Sequence, residues 1–237
     1  MKTWETVLGW CYFPMYLLGA QLIVGVILLL RGYDPYSEGT LLALNLWTSV
    51  VHFVAIIAIF HRFLLEQFRR IKGSVGRLIG VVAIGCVMYY GGSIVVNLIT
   101  AIMTKSLGAE ITNQNQEALV QMIKGDVMQS TVIISLCGPI VEECLMRGLI
   151  FRPLRPRSRV FAYALSMLVF ASLHVVSSIV SGGTNLVEVL LNLLAYLPGG
   201  FALAWVYERT KTIWASIFTH LTVNTLVLLL IYATPTV

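Results

Sequence analysis

The stretch Gly138-Pro139-Ile140-Val141-Glu142-Glu143-Cys144-Leu145-Met146-Arg147-Gly148 sets two carboxylates and a guanidinium inside an otherwise apolar run. At the middle of a membrane helix each such group costs at least about 2.5–3.5 kcal/mol on insertion scales, so this cluster asks for mutual pairing or a chemical task. Residues four apart share a helix face, so Glu143 lies under Arg147 in the favourable acid-before-base order, whereas Glu142 points about 100° away. The spacing predicts a buried Glu143–Arg147 pair that fixes the helix. It leaves Glu142 without a local partner, as the group able to take a proton from water. Pro139, three residues upstream, removes a backbone donor and is expected to kink or loosen the helix just before the glutamates.

The apolar setting extends to the whole chain. Of 237 residues 58% are hydrophobic and 11% charged, against about 25% charged in a soluble domain. The fold class is an all-α integral membrane protein, a bundle of about seven transmembrane helices in one polytopic domain over residues 1–237. The alternation of a transmembrane barrel is not seen. The expected spans are about Leu8 to Leu30, Leu41 to Leu65, Leu78 to Met103, Val127 to Phe151, Val160 to Val180, Leu186 to Tyr207 and Ile213 to Tyr232. The first is longer than the apolar core of a signal peptide and reads as a retained helix. The longest polar segment, Thr104 to Asp126, is expected outside the hydrocarbon with a short amphipathic helix from Glu117 to Lys124. Pro153 and Pro156 should end the fourth helix near its basic tail. Cys11, Cys86, Cys137 and Cys144 fall in apolar runs without metal or disulfide spacing and read as small packing residues.

The net charge of +5 does not point to nucleic acid, because the basic residues flank apolar runs. All 16 Lys and Arg residues divide between alternate links. Arg31, Lys105 and Lys124 fall on one side, and the other 13, from Lys2 through the Arg69, Arg155 and Lys211 regions, on the opposite side. By the positive-inside rule the N-terminus is cytoplasmic and the C-terminus is not, in what is expected to be the plasma membrane.

Two further groups sit within spans. His174 lies four residues after Phe170, and His220 lies four before Asn224, each pair on one helix face. At 1.5 Å per residue Glu142 lies about 15 Å, His174 about 20 Å and His220 about 10 Å from the basic ends of their spans, so all three are expected to meet in the cytoplasmic half. Glu, His, His and Asn around one cavity suffice for peptide hydrolysis. Glu142 takes a proton from water, His174 orients that water, and His220 with Asn224 donates to the oxyanion. The same Glu142, His174 and His220 set is also the right chemistry for zinc with a metal-bound water, although the HExxH helix is absent.

Glu142-Glu143-xxx-Arg147, Phe170-xxx-His174 and His220-xxx-Asn224, in this order on three spans, resemble the three-motif signature of the CAAX prenyl protease and bacteriocin-processing family of intramembrane proteases. The likeness extends to Gly148 and to the run from Tyr207 to Ile217, covering about Gly138 to Thr225 within a catalytic core at 127–232. It implies a helical membrane endopeptidase that cuts a peptide or membrane-tethered protein substrate. Catalytic roles pass to Glu142, His174, His220 and Asn224, with Glu143 and Arg147 supporting them. It also implies a glutamate-dependent reaction without a metal cofactor, zinc being the alternative.

Other polar residues have plainer readings. His52, mid-span and without a partner, and His61, beside Arg62, read as packing or interface residues. Glu188, Asn185 and Asn192 read as interhelical hydrogen-bond glue. Trp10, Trp47, Trp205 and Trp214 read as interface anchors. Two other functions compete with the peptidase: a non-catalytic membrane partner regulating a sensor kinase or transporter, and a proton-relaying transporter. No inverted repeat supports the last.

Overall fold

The computed structural model describes residues 1–71, 75–107, 113–181 and 186–233, and every element among them is helical. Asn185, named above, lies outside the described residues. The helices are α1 (Thr3–Leu30), α2 (Glu38–Arg69), α3 (Val75–Leu107), α4 (Gln114–Gly125), α5 (127–154), α6 (Arg159–Ser181), α7 (Leu186–Thr210) and α8 (Ile213–Ala233). Six of them, all but α4 and α5, are long and apolar enough to cross a bilayer.

The fourth expected span, α5, is helical throughout but alternates between α and π turns: Val127–Val132, π at Ile133–Cys137, α at Gly138–Glu143, π at Cys144–Phe151, then a last turn to Leu154. Gln129 Nε2 donates to Leu42 O near one end, and the Arg152 guanidinium lies over the Phe63 ring at the other. Twenty-one residues of α2 separate those contacts, about 31 Å of helix, so α5 crosses the same thickness as the lipid-facing spans. Helical geometry continues through Pro153, and the chain turns only at Arg155–Arg157.

Every residue from Glu143 to Phe151 is buried. Around it pack Ile56, Phe60 and Phe63 of α2, Phe170 of α6, Leu203 of α7 and Ile217 of α8. A stretch buried on every side, its one ion pair included, has no lipid or water face to present, which puts this half of α5 at the centre of the bundle. Small residues allow close crossing elsewhere. Gly85 and Gly92 of α3 meet Val206 and Pro198 of α7, the small-residue packing by which membrane helices associate.

The α7–α8 corner anchors the basic end. Lys211 takes a left-handed backbone (φ 57°). Beyond it Thr212 Oγ1 donates to Gln67 O, Ile213 N to Gln67 Oε1 and Trp214 Nε1 to Leu64 O. Glu208 accepts from Tyr163 and Arg155 and pairs with Arg159 at 3.2 Å. The segment from Tyr207 to Ile217 thus locks α2, α6, α7 and α8 together, with Trp214 half-buried within it. These contacts gather the ends of α2, α5, α6, α7 and α8 that carry the basic residues at one end of the bundle. Buried Glu5 accepts from Phe63 N there, which puts the start of α1 at the basic end. Tyr232 OH reaches Val127 O at the opposite end. The start of α1 and the end of α8 therefore lie at opposite ends of the bundle.

Candidate active site

Asp126 starts α5 by accepting from Gln129 N, the usual way a side-chain oxygen satisfies an orphan N–H. At the first π turn Gly138 N donates to Ile133 O, five residues back. The next bond of that pattern would run from residue 139 to Ile134 O. Pro139 has no N–H, so that carbonyl is left open. Asn224 Nδ2 fills it from α8 at 2.9 Å. The expected loosening of the helix before the glutamates is thus a π turn, and Asn224 ties it to α8 while a second amide N–H remains.

Glu143 and Arg147 form the expected pair: Arg147 Nε donates to Glu143 Oε2 at 3.0 Å, both side chains fully buried. The pair has more members than the spacing announced. Arg147 also donates to Ser166 Oγ at 2.6 Å and stands 5.9 Å from the centre of the Phe170 ring. Glu143 accepts from Ser216 Oγ and from His220 Nδ1 at 3.2 Å. Three helices, α5, α6 and α8, meet at this one carboxylate–guanidinium couple, which offsets the desolvation of both charges.

Glu142, on the adjacent face, points into a cavity of about 330 Å³. Its Oε2 lies 4.0 Å from His174 Nε2 and 3.8 Å from His220 Nε2, and has no hydrogen-bond partner among the described residues. The expected convergence of Glu142, His174, His220 and Asn224 around one cavity is therefore present. His174 Nδ1 bonds to Phe170 O at 2.8 Å, and its ring stacks on Tyr196 at 4.4 Å. A carbonyl and a carboxylate can only accept, so Nδ1 carries the proton in both imidazoles, and each presents Nε2 to Glu142. Three acceptor atoms then face one point. A water donating to two of them, or a proton held on one ring, satisfies such a set.

Carboxylate and two imidazoles are suitable donor types for zinc, but 3.8 and 4.0 Å exceed the roughly 3.3 Å edge of a tetrahedron built on bonds of about 2.0–2.1 Å. Among the described residues no group of three His, Cys, Asp or Glu side chains is arranged to hold a metal ion.

One expectation needs correction. His52 has a partner: its Nδ1 is 2.8 Å from Tyr12 OH, Tyr16 packs on its ring at 4.8 Å, and it lines the cavity. No local spacing signals that contact, because the partner is on α1, forty residues away. The cavity does not run toward the basic end. It extends from Glu142 to Gln116, Leu119 and Met122 of α4, at the end poor in Lys and Arg, because the lock around Tyr207 to Ile217 fills the basic side. Glu188 and Asn192 are buried outside this cavity, Asn192 lining a second one with Asn97 and Asn113. His61 is exposed and bonds to Ala58 O. Cys144 is fully buried as packing. Ser216, Ser166 and Tyr196 carried no motif. Ser216 lies four residues before His220, on its face, and that spacing was the available signal.

Residues 125–226 match the family model described as Type II CAAX prenyl endopeptidase Rce1-like. The chain is 30% identical over 205 residues, 84% of its length and 77% of the relative's, to the Bacillus subtilis (strain 168) protein named "Putative membrane peptidase YdiL". No solved structure matches. Glu142, His174, His220 and Asn224 all lie within the matched residues, and the chain belongs to the CAAX prenyl protease and bacteriocin-processing family of intramembrane peptidases.

Proposed function

We propose that this chain is an intramembrane endopeptidase in which Glu142 activates water for attack on a peptide bond, without a metal cofactor. The observation that carries the reading is the meeting of Glu142 Oε2 with the Nε2 atoms of His174 and His220 at 4.0 and 3.8 Å on the wall of a cavity. Glu142 takes one proton of a bound water as the oxygen attacks the scissile carbonyl, and His174 holds that water through its bare Nε2. The proton passes to the leaving amine. His220, with Nδ1–H held by Glu143 and the one proton shared by the three facing atoms carried on its Nε2, donates from that edge to the oxyanion, aided by the second N–H of Asn224. Glu143 and Arg147 fix the ring that does this.

Substrates of this reading are peptides or membrane-tethered proteins. With the basic end in the cytoplasm of a plasma-membrane protein, they reach Glu142 from the opposite side. The test compares the membrane peptidome of cells carrying the wild-type chain with cells carrying Glu142→Ala, His174→Ala or His220→Ala at matched accumulation. Each substitution is expected to abolish product peptides, and near-wild-type turnover by Glu142→Ala would refute the role. Elemental analysis and activity after chelation test the metal-free chemistry, which zinc at stoichiometric level with chelator-sensitive activity would overturn.

A further inference from the structure

The first half of α2 contributes another wall of the catalytic cavity. Asn45, Ser49 and His52 fall at successive spacings of four and three, on one helix face, and all three line the cavity. Polar side chains inside a span are costly and in a finished bundle serve as glue between helices. Asn45 and Ser49 make no side-chain hydrogen bond among the described residues, so they are not glue. His52 is the opposite case: Tyr12 OH at Nδ1 and the Tyr16 ring hold it rigidly, leaving Nε2 as its free edge.

The stripe measures about 10.5 Å along the helix, the length of about three residues of extended chain. Attack on a peptide bond needs that bond out of a helix. An extended backbone in apolar surroundings must then find partners for its N–H and C=O groups. A ladder of amide, hydroxyl and imidazole along the same cavity as Glu142 supplies both donors and acceptors.

We propose that Asn45, Ser49 and His52 form the substrate-binding wall, hydrogen-bonding the backbone of an extended peptide that lies along α2 with its scissile carbonyl at Glu142. This rests on the peptidase reading above. It concerns residues outside the 125–226 segment that carries the family match.

The test uses the full chain in lipid nanodiscs and a library of internally quenched peptides, each palmitoylated at its N-terminus. Hydrolysis by the wild type and not by Glu142→Ala tests the peptidase reading. Binding of the same peptides to Glu142→Gln protein, read by fluorescence anisotropy, tests the wall whether or not hydrolysis is seen. His52→Phe, and separately Asn45→Ala with Ser49→Ala, are expected to weaken binding about tenfold or more, the loss of one or two hydrogen bonds in a closed site. In the active protein they raise KM by a similar factor with kcat changed less than about threefold. His52→Gln, which keeps a hydrogen-bonding edge, recovers most of the affinity. The Asn45/Ser49 pair keeps the test decisive where His52→Phe fails to fold, because those side chains hold no described partner. Binding of no library peptide, unchanged binding in the substituted proteins, or loss confined to kcat overturns the proposal.

Discussion

Replacing Arg147 with methionine removes the guanidinium paired with Glu143 and leaves the shape of the side chain largely in place. Both groups are at 0% exposure, so neither water nor lipid headgroups can take over. Breaking a buried ion pair from one side costs about 3–5 kcal/mol. The donors from Ser216 and His220 Nδ1 remain on Glu143, which sets the carboxylate's share at about 3 kcal/mol. Ser166 Oγ loses its 2.6 Å donor and adds about 1 kcal/mol, for a total near 4. Pairing the change with Glu143→Gln removes the stranded charge, and the double substitution is expected to cost only about 1–2 kcal/mol, a recovery of about 2–3 kcal/mol relative to Arg147→Met alone. Accumulation in membrane fractions and thermal melting in detergent measure both, against a total stability of about 5–15 kcal/mol typical of a domain. The double variant is expected to fold and to hydrolyse slowly, because Glu143 no longer fixes the His220 ring. Equal destabilisation by Arg147→Met and the double variant would refute the assignment of the cost to uncompensated charge.

Two further outcomes test the packing. Asn224→Leu strands Ile134 O and is expected to lower stability by about 1–3 kcal/mol. Adding Pro139→Ala, which restores a backbone N–H for that carbonyl, should recover most of the loss in a thermal melt. No recovery would show that Asn224 has another role in stability. Gly85→Ala places a Cβ 2.3 Å from Val206 Cγ2 and should cost about 1–3 kcal/mol through separation of α3 and α7. A melting temperature equal to the wild type would show that the crossing is looser.

The bundle was legible because lipid demands long apolar helices and the basic residues mark one end. The Glu143–Arg147 pair was legible because helical spacing alone makes them neighbours. His174 and His220 could be named from their motifs, and their convergence from counted depth. What could not be read were partners whose proximity is created by packing. Tyr12 and His52 are on different helices, Ser166 reaches Arg147 across two spans, and Tyr196 meets His174 only because α6 and α7 cross there. The direction of the cavity was not legible for a related reason. Depth along single helices locates side chains, but which end of the bundle is filled depends on how the α7–α8 corner folds onto Gln67.

The π turn of α5 explains why an α-helical reading of this region falls short. The α5 residues that line the cavity include the pairs Ile133 and Ile134, Cys137 and Gly138, Val141 and Glu142, which repeat every four residues. At 3.6 residues per turn a four-residue repeat drifts about 40° per step, about 80° across the three pairs. An unbroken α-helix that aimed Glu142 at the cavity would turn Ile133 and Ile134 largely away. The wider turn at Ile133–Cys137 absorbs part of that drift and keeps the stripe on one face. It also opens the carbonyl that Asn224 binds. The same turn therefore shapes the cavity wall and fixes α8, which carries His220, against the helix that carries Glu142. The two halves of the proposed catalytic set are held in register by a departure from α-helical geometry that Pro139 makes necessary.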